Sequence, residues 1–354
     1  MKFKIFSLAI DSQKQEWLEI WKAWSDGEIY AHPDFIKLSA NSEDEVFAFY
    51  ADIPNGGVLF PIIKRSISSE PWCNEIKSNY DAITPYGYGG AFYWGRGDDF
   101  RDEFWKKYSI WCQDNNIVST LMRLSLFKNQ ILTPIGEVTS PYGNIVRSLT
   151  MKEDELWYDY KHAVRKNVKR AVNSGLKIEI DASGKKLNDF LEIYHSTMDR
   201  VEAKGQYYFS TDYFKEIIEK LPKNFVFFHV LYKEKIISTE LVLVSSKNIY
   251  SFLGGTISEY NNMRPNNFLK HEIIKWGIEN GKSNFILGGG YKKDDGIFKY
   301  KQAMAPNGEH PFYLAKVIHD EDMYEALVKK KLKWKEKHVK DADVQDDFFP
   351  KYRA

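Results

Sequence analysis

Cysteine is scarce: only Cys73 and Cys112 occur in 354 residues. Two thiols are too few for a disulfide framework or a cysteine-rich zinc site, and they suit a reducing cytoplasm. A charge excess is also lacking. The chain has 50 basic and 49 acidic residues, for a net charge of +1. No global nucleic-acid or membrane signature exists, so any anion site must be a local patch. No run of about 18 apolar residues appears, so no membrane-spanning helix is expected. Met1 to Ile10 has no apolar stretch long enough for a signal peptide, which leads to the expectation of a cytoplasmic protein. The phosphate loop G-x-x-x-x-G-K-[ST], the G-x-S-x-G elbow, H-E-x-x-H and C-x-x-C are all missing. The 8 histidines are scattered, with none at metal-ligand spacing, so no metal site is expected. His229 and His271 read as structural.

What is present is a large apolar and aromatic complement. Hydrophobic residues make up 43%, with 10 Trp, 22 Tyr and 23 Phe, enough for well-packed cores and for pockets that read polar ligands. The length suits two domains. Period-2 segments predict strands at Lys2 to Leu8, Val46 to Ala51, Gly57 to Lys64, Ser119 to Arg123 and Asn144 to Leu149. Helices are predicted at Glu16 to Trp24 and Asp98 to Asn115. Glu153 to Ser174 reads as one long helix, with Tyr160, Val164, Val168 and Ala171 on one stripe and Gly175 as its C-cap. The second half then runs strand (Leu176 to Ile180), helix (Leu187 to Val201), helix (Thr211 to Lys220) and a meander (Phe225 to Tyr232, Ile236 to Val244, Ile249 to Leu253). A helix follows at Asn266 to Asn280 behind Pro265, then a strand at Asn284 to Leu287 and a helix at Gly296 to Ala303. A strand at Phe312 to Ile318 and a basic helix at Glu325 to Val339 end the chain. The expected division is 1–150, a basic linking helix 151–175, a second domain 176–324, and a basic helix and tail 325–354.

Three segments carry a resemblance. Thr84-Pro85-Tyr86-Gly87-Tyr88-Gly89-Gly90 is similar to a Pro-Tyr-Gly-Tyr-Gly-Gly loop. Arg165-Lys166-Asn167-Val168-Lys169-Arg170-Ala171, followed by Ser174-Gly175, is similar to an Arg-x-x-(basic)-x-Ala…Gly helix. Leu287-Gly288-Gly289-Gly290 with Phe298-Lys299 is similar to a strand end and its Phe-Lys pair. In this order the chain resembles the FemAB-like branch of the GNAT acyltransferase superfamily. The resemblance implies an α/β (α+β) fold of tandem GNAT-like domains, each a mixed, mostly antiparallel sheet flanked by helices. It also implies acyl or aminoacyl transfer to an amine.

By that resemblance Lys299 is the cation for the tetrahedral oxyanion, aimed by Phe298. Asp294 or Asp295 would take the amine's proton. The glycines 288–290 allow close approach of a ligand to the backbone. Tyr86, Tyr88 and Tyr250 are substrate-binding candidates, and Asp81 stands near the first two. Arg165, Lys166, Lys169 and Arg170 are candidates for phosphates of a tRNA. The same residues also fit a solvated face paired with Glu153, Asp154 and Glu155. The lysine cluster from Lys329 to Lys337 is open to tRNA, to peripheral membrane contact or to solvent.

The expected activity is amide formation on a cell-envelope precursor of peptidoglycan or polysaccharide in a bacterium, with no resident cofactor. The Gln/Arg-x-x-Gly-x-Gly/Ala loop of acetyl-CoA enzymes is replaced by Arg264-Pro265-Asn266-Asn267-Phe268, which favours aminoacyl-tRNA as donor. The alternatives are an acyl-CoA-dependent N-acyltransferase on an amino sugar and a non-catalytic RNA- or glycan-binding protein.

Overall fold

The computed structural model describes all residues except 74–77, 98, 204, 291, 293 and 339–347. The described chain forms two compact units. One holds Met1–Trp24, Tyr30–Pro141 and Phe312–Ala354, and the other Ser25–Ile29 and Tyr142–Pro311.

In chain order the elements begin with β1 (Lys2–Ser7), α1 (Asp11–Ala23), α2 (Pro33–Leu38), β2 (Glu45–Ile53), β3 (Gly56–Ser66), β4 (Tyr80–Ile83) and β5 (Phe92–Trp94). They continue with α3 (Arg101–Asp114), β6 (Ile117–Arg123), β7 (Glu137–Ser148), α4 (Glu153–Asp159), α5 (His162–Asn173), β8 (Lys177–Asp181), α6 (Leu187–Arg200) and α7 (Thr211–Lys220). Next come β9 (Phe225–Tyr232), β10 (Lys235–Val244), β11 (Asn248–Thr256), α8 (Pro265–Glu279) and β12 (Asn284–Gly288). The last are α9 (Gly296–Met304), β13 (Glu309–Ile318) and α10 (Glu321–His338). Both halves run strand, two helices, meander, helix, strand, so the predicted α/β class is observed. The positions Asp98 and Val339, placed in helices by the sequence, lie outside the described residues. The short strands β4 and β5 and the helix α2 lack a sustained period and escaped the sequence reading.

In the first unit β1, β2, β3 and β4 pair antiparallel in turn, β4 pairs parallel with β6, and residues 314–318 pair antiparallel with β6. The core is aromatic: Trp17, Phe49, Phe60, Phe104 and Tyr108 are fully buried. Asp81 is buried and accepts from Arg65 at 2.8 Å and from Arg353. Its carboxylate therefore fastens the C-terminal residues to β3 and β4, and both its oxygens are taken by guanidinium groups.

In the second unit β8, β9, β10 and β11 are antiparallel neighbours, β12 joins β11 in parallel, and residues 145–148 pair antiparallel with β12. The core against α5 and α8 includes Val164, Val168, Phe228, Val242, Ile273 and Phe298.

The single helix expected over Glu153 to Ser174 is two helices, α4 and α5. Tyr160 and Lys161 are extended, with ψ of 142° and 146°. Three contacts hold the break. The Tyr160 ring is buried, the Lys161 N–H donates to Ala303 O at 3.0 Å, and the Arg165 guanidinium donates to the carbonyls of Tyr158 and Tyr160. Those carbonyls would otherwise be left unpaired by the end of α4. Gly175 ends α5 as expected. Its φ is +77°, its N–H donates to Val172 O and the Leu176 N–H to Ala171 O. That is the Schellman pairing, which favours glycine at this point.

Candidate functional site

The chemistry-bearing side chains of the second unit gather where β10, β11, α8, β12 and α9 meet. The parallel ladder between β11 and β12 covers only Asn248 to Tyr250 against Asn284 to Ile286. Beyond Tyr250, β11 continues to Thr256, and none of Ser251 to Thr256 pairs with β12. Its last residue, Thr256, donates its N–H to Thr197 Oγ1 of α6 at 3.1 Å, and the stretch before it is the kind of edge that takes an extended ligand.

Beside this edge sits a buried ion pair. Lys270 of α8 donates to both carboxylate oxygens of Glu240 on β10, at 2.5 and 2.6 Å, and to Ser251 Oγ at 2.6 Å. Both charged residues are buried. A charge in such a place is tolerable only when paired and hydrogen-bonded.

The glycine run at the end of β12 closes the same region. Gly288 has φ of +83°. A Cβ at Gly290 would lie 2.3 Å from Asp295 Oδ1, so a side chain there would push the Asp295 carboxylate out of its present position. Asp295 is the N-cap of α9 and accepts from the Phe298 N–H at 2.7 Å and the Lys292 N–H at 3.1 Å. An anion here complements the helix dipole.

Helical spacing then sorts the lysines of α9. Phe298 is buried in the core. Lys301 lies three residues on, so it shares the inner face, whereas Lys299 is turned about 100° away and is exposed. The Lys301 ammonium donates to Gly289 O at 2.7 Å. Burial, reinforced by the nearby Lys270 cation, pushes its pKa down to about 8, against the opposing pull of Glu240 and Asp295. A lysine so placed is charged for much of the time at neutral pH yet gives up its proton readily. The Tyr300 hydroxyl next to it is buried without a hydrogen-bond partner among the described residues.

The structure thus brings Gly288, Gly289, Gly290, Asp295 and Phe298 together with Lys301, Lys270, Glu240 and Ser251. The last four were missed by the sequence reading. The helical phase of Lys301 relative to Phe298 was a usable signal for one of them. Asp294 is exposed, with φ of +56°. Tyr250 is buried and donates to Glu28 at 2.6 Å. Glu28 also accepts from Asn248, and burial raises its pKa. These bonds tie residues 25–29 to β11.

On α5, Arg165 is committed to the two carbonyls that end α4. For Lys166, Lys169 and Arg170 no carboxylate partner occurs among the described residues, and all three border one cationic depression. In the first unit, Tyr86 is exposed. Tyr88 packs edge-on against Tyr30 and Phe312 at 5.3 and 5.8 Å. Gly87, with φ of +105°, leaves room for the Tyr30 ring, which a Cβ would meet at 2.6 Å.

His229 and His271 are held in place by their surroundings. His229 Nδ1 lies 2.9 Å from Thr239 Oγ1, and His271 Nδ1 3.2 Å from Tyr160 Oη. Burial pushes both pKa values down to about 4. No described helix is long and apolar enough to cross a membrane.

Residues 159–302 match the family of acetyltransferase (GNAT) domains. No curated protein matches the chain. Among solved structures, FemX superposes with a TM-score of 0.66 at 12% identity, over 92% of this chain and 99% of that one. The C-terminal domain of a protein described as a lysylphosphatidylglycerol synthetase, from Agrobacterium fabrum, gives 0.53 at 13% identity, over 88% and 94%. L-PGS from Bacillus licheniformis gives 0.52 at 14% identity, over 90% and 95%. At these identities the likeness is one of fold. Residues 159–302 thus resemble a GNAT domain, and the chain shares its overall fold with FemX over nearly its whole length.

Proposed function

We propose that this protein is an acyltransferase that forms an amide bond, moving an aminoacyl group from a tRNA ester to the amine of a cell-envelope precursor on the cytoplasmic side. The observation that carries the reading is the Lys301 ammonium, half-buried at the Gly289 carbonyl beside the open edge of β11.

In this reading the acceptor nitrogen attacks the ester carbon and a C–N bond forms. The carbonyl oxygen becomes an oxyanion, which a fixed cation stabilises by a factor on the order of 10²–10³ in rate. The C–O ester bond then breaks. Lys301, with its pKa near 8, supplies the proton to the leaving ribose oxygen, and the nitrogen loses one proton to Asp294 or water. Lys299, exposed on another side of α9, is not given this role. Asp295 positions the helix through its cap rather than touching substrate.

Two observations favour an aminoacyl donor. Pro265 stands at the first position of α8 and has no N–H. The first turn of α8 therefore offers fewer donors to a diphosphate. One structure of similar fold is described as belonging to a lysylphosphatidylglycerol synthetase, a name that describes a lysyl group carried on a phospholipid.

A second reading, an acyl-CoA-dependent N-acyltransferase, is favoured by the match to acetyltransferase domains. Calorimetric titration with acetyl-CoA separates the two. Micromolar binding, about −8 kcal/mol, makes the thioester the donor. No heat at two temperatures leaves the tRNA ester.

A further inference from the structure

We propose that the groove between α4, α5 and α8 is a base-stacking subsite for a single-stranded RNA end, with the adjoining phosphates along the cationic face of α5. This inference rests on the aminoacyl-tRNA reading and adds to it a defined place for a base.

The groove is a cavity of about 330 Å³, lined by the buried Val168, the exposed Val172, Trp157, His271 and Glu272. That is at the low end for a ligand pocket, which fits one planar ring system better than a large ligand. Trp157 is partly buried against the core, so its ring is already ordered. His271 stands 5.3 Å from it at 60° and is itself fixed by Tyr160. Glu272 is mostly buried and lies 3.6 Å from Lys275. A ring face, a neutral imidazole and a carboxyl group are the elements that read a heteroaromatic ring and its polar edge.

Lys169 and Asn173 line this groove and also the cationic depression that runs along α5. A strand with its base on Trp157 would therefore bring its phosphates onto Lys169, Lys166 and Arg170. These cations have no carboxylate partner among the described residues, and like charges one turn apart on a helix repel. A polyanion relieves that repulsion. A membrane surface would meet the charges, but it could not place a flat ring in a recess between three helices.

The test is fluorescence anisotropy with a labelled six-nucleotide oligoadenylate and with an abasic strand of the same length. The wild type should bind the oligoadenylate more tightly, and Trp157→Leu should weaken it about tenfold, as loss of one base stack does, without changing the abasic strand. Trp157→Phe should restore most of the difference, which a folding defect would not. The double variant Lys169→Gln/Arg170→Gln should weaken both strands and flatten the salt dependence. Equal binding of the two strands by the wild type would overturn the proposal. So would binding of phosphatidylglycerol vesicles without binding of either strand. Lys301→Gln should bind both strands as the wild type does. If transfer from charged tRNA fails while the strand preference holds, the subsite stands and the reaction falls.

Discussion

The ammonium of Lys301 donates to the backbone carbonyl of Gly289 at 2.7 Å, across the loop that separates β12 from α9. Two features make this contact possible. Glycine at 290 lets Asp295 turn back to cap α9, and the cap sets the helical phase that turns Lys301 inward and Lys299 outward. Lys301 is therefore a second candidate, beside Lys299, for the oxyanion role that the sequence resemblance implies.

Lys301→Gln should lower amide transfer at least tenfold while leaving the melting temperature within a few degrees of the wild type. Lys299→Gln should stay within about threefold of the wild type. Steady-state rates on the two purified variants check both statements, and equal losses would remove the distinction between the lysines.

The stability of the fold should carry the mark of Lys301. Its folded-state pKa is about 8 against an ordinary 10.5. The unfolded chain holds more protons between those values, so this group's contribution to stability rises with pH across that window. Below pH 8 its burial penalty is fully present. Lys301→Met should thus raise the melting temperature most below pH 8, with the gain fading towards pH 10.5. A gain independent of pH in thermal melts would contradict the assignment.

The Lys270–Glu240 pair sets the field around Lys301. Breaking a buried pair by removing one partner costs about 3–5 kcal/mol, so Lys270→Met should be strongly destabilising in urea melts. The double variant Lys270→Met/Glu240→Leu should recover most of that loss. Glu240→Gln removes a carboxylate that favours the Lys301 ammonium, and the alkaline limb of the rate profile should move to lower pH. No movement of that limb would place Lys301 outside the reacting centre.

Tyr250 serves the fold through Glu28. Tyr250→Phe leaves a buried carboxyl group short of one donor, at a cost of about 1–3 kcal/mol. Transfer kinetics should be unchanged at temperatures where the variant is folded. A rise in KM without a loss of stability would return Tyr250 to substrate binding.

Much of this was legible from residue spacing. The meander of β9, β10 and β11 and the Gly175 cap follow from local patterns, and the structure places them where those patterns fall. The break at Tyr160 and Lys161 was not legible, because it depends on Ala303, far along the chain, and on Arg165 turning back to two carbonyls. The partnership of Tyr250 with Glu28 spans 222 residues, and no local pattern signals it. The pairing of Lys270 with Glu240 likewise joins a helix to a strand that only the fold brings together. In the glycine-rich stretch after β12, the sequence singled out Lys299, which is exposed, and gave no sign of the Lys301 contact to the Gly289 carbonyl, which depends on how α9 folds back on that loop.

The measurement that tests the central claim most directly uses tRNA charged with radiolabelled amino acids and a pool of envelope precursors. An ester on tRNA is cleaved by mild alkali, whereas an amide survives. Wild-type protein should convert label to an alkali-stable form, and Lys301→Gln should do so at least tenfold more slowly. Absence of alkali-stable label with both charged tRNA and acyl-CoA donors, or wild-type conversion by Lys301→Gln, would contradict the account.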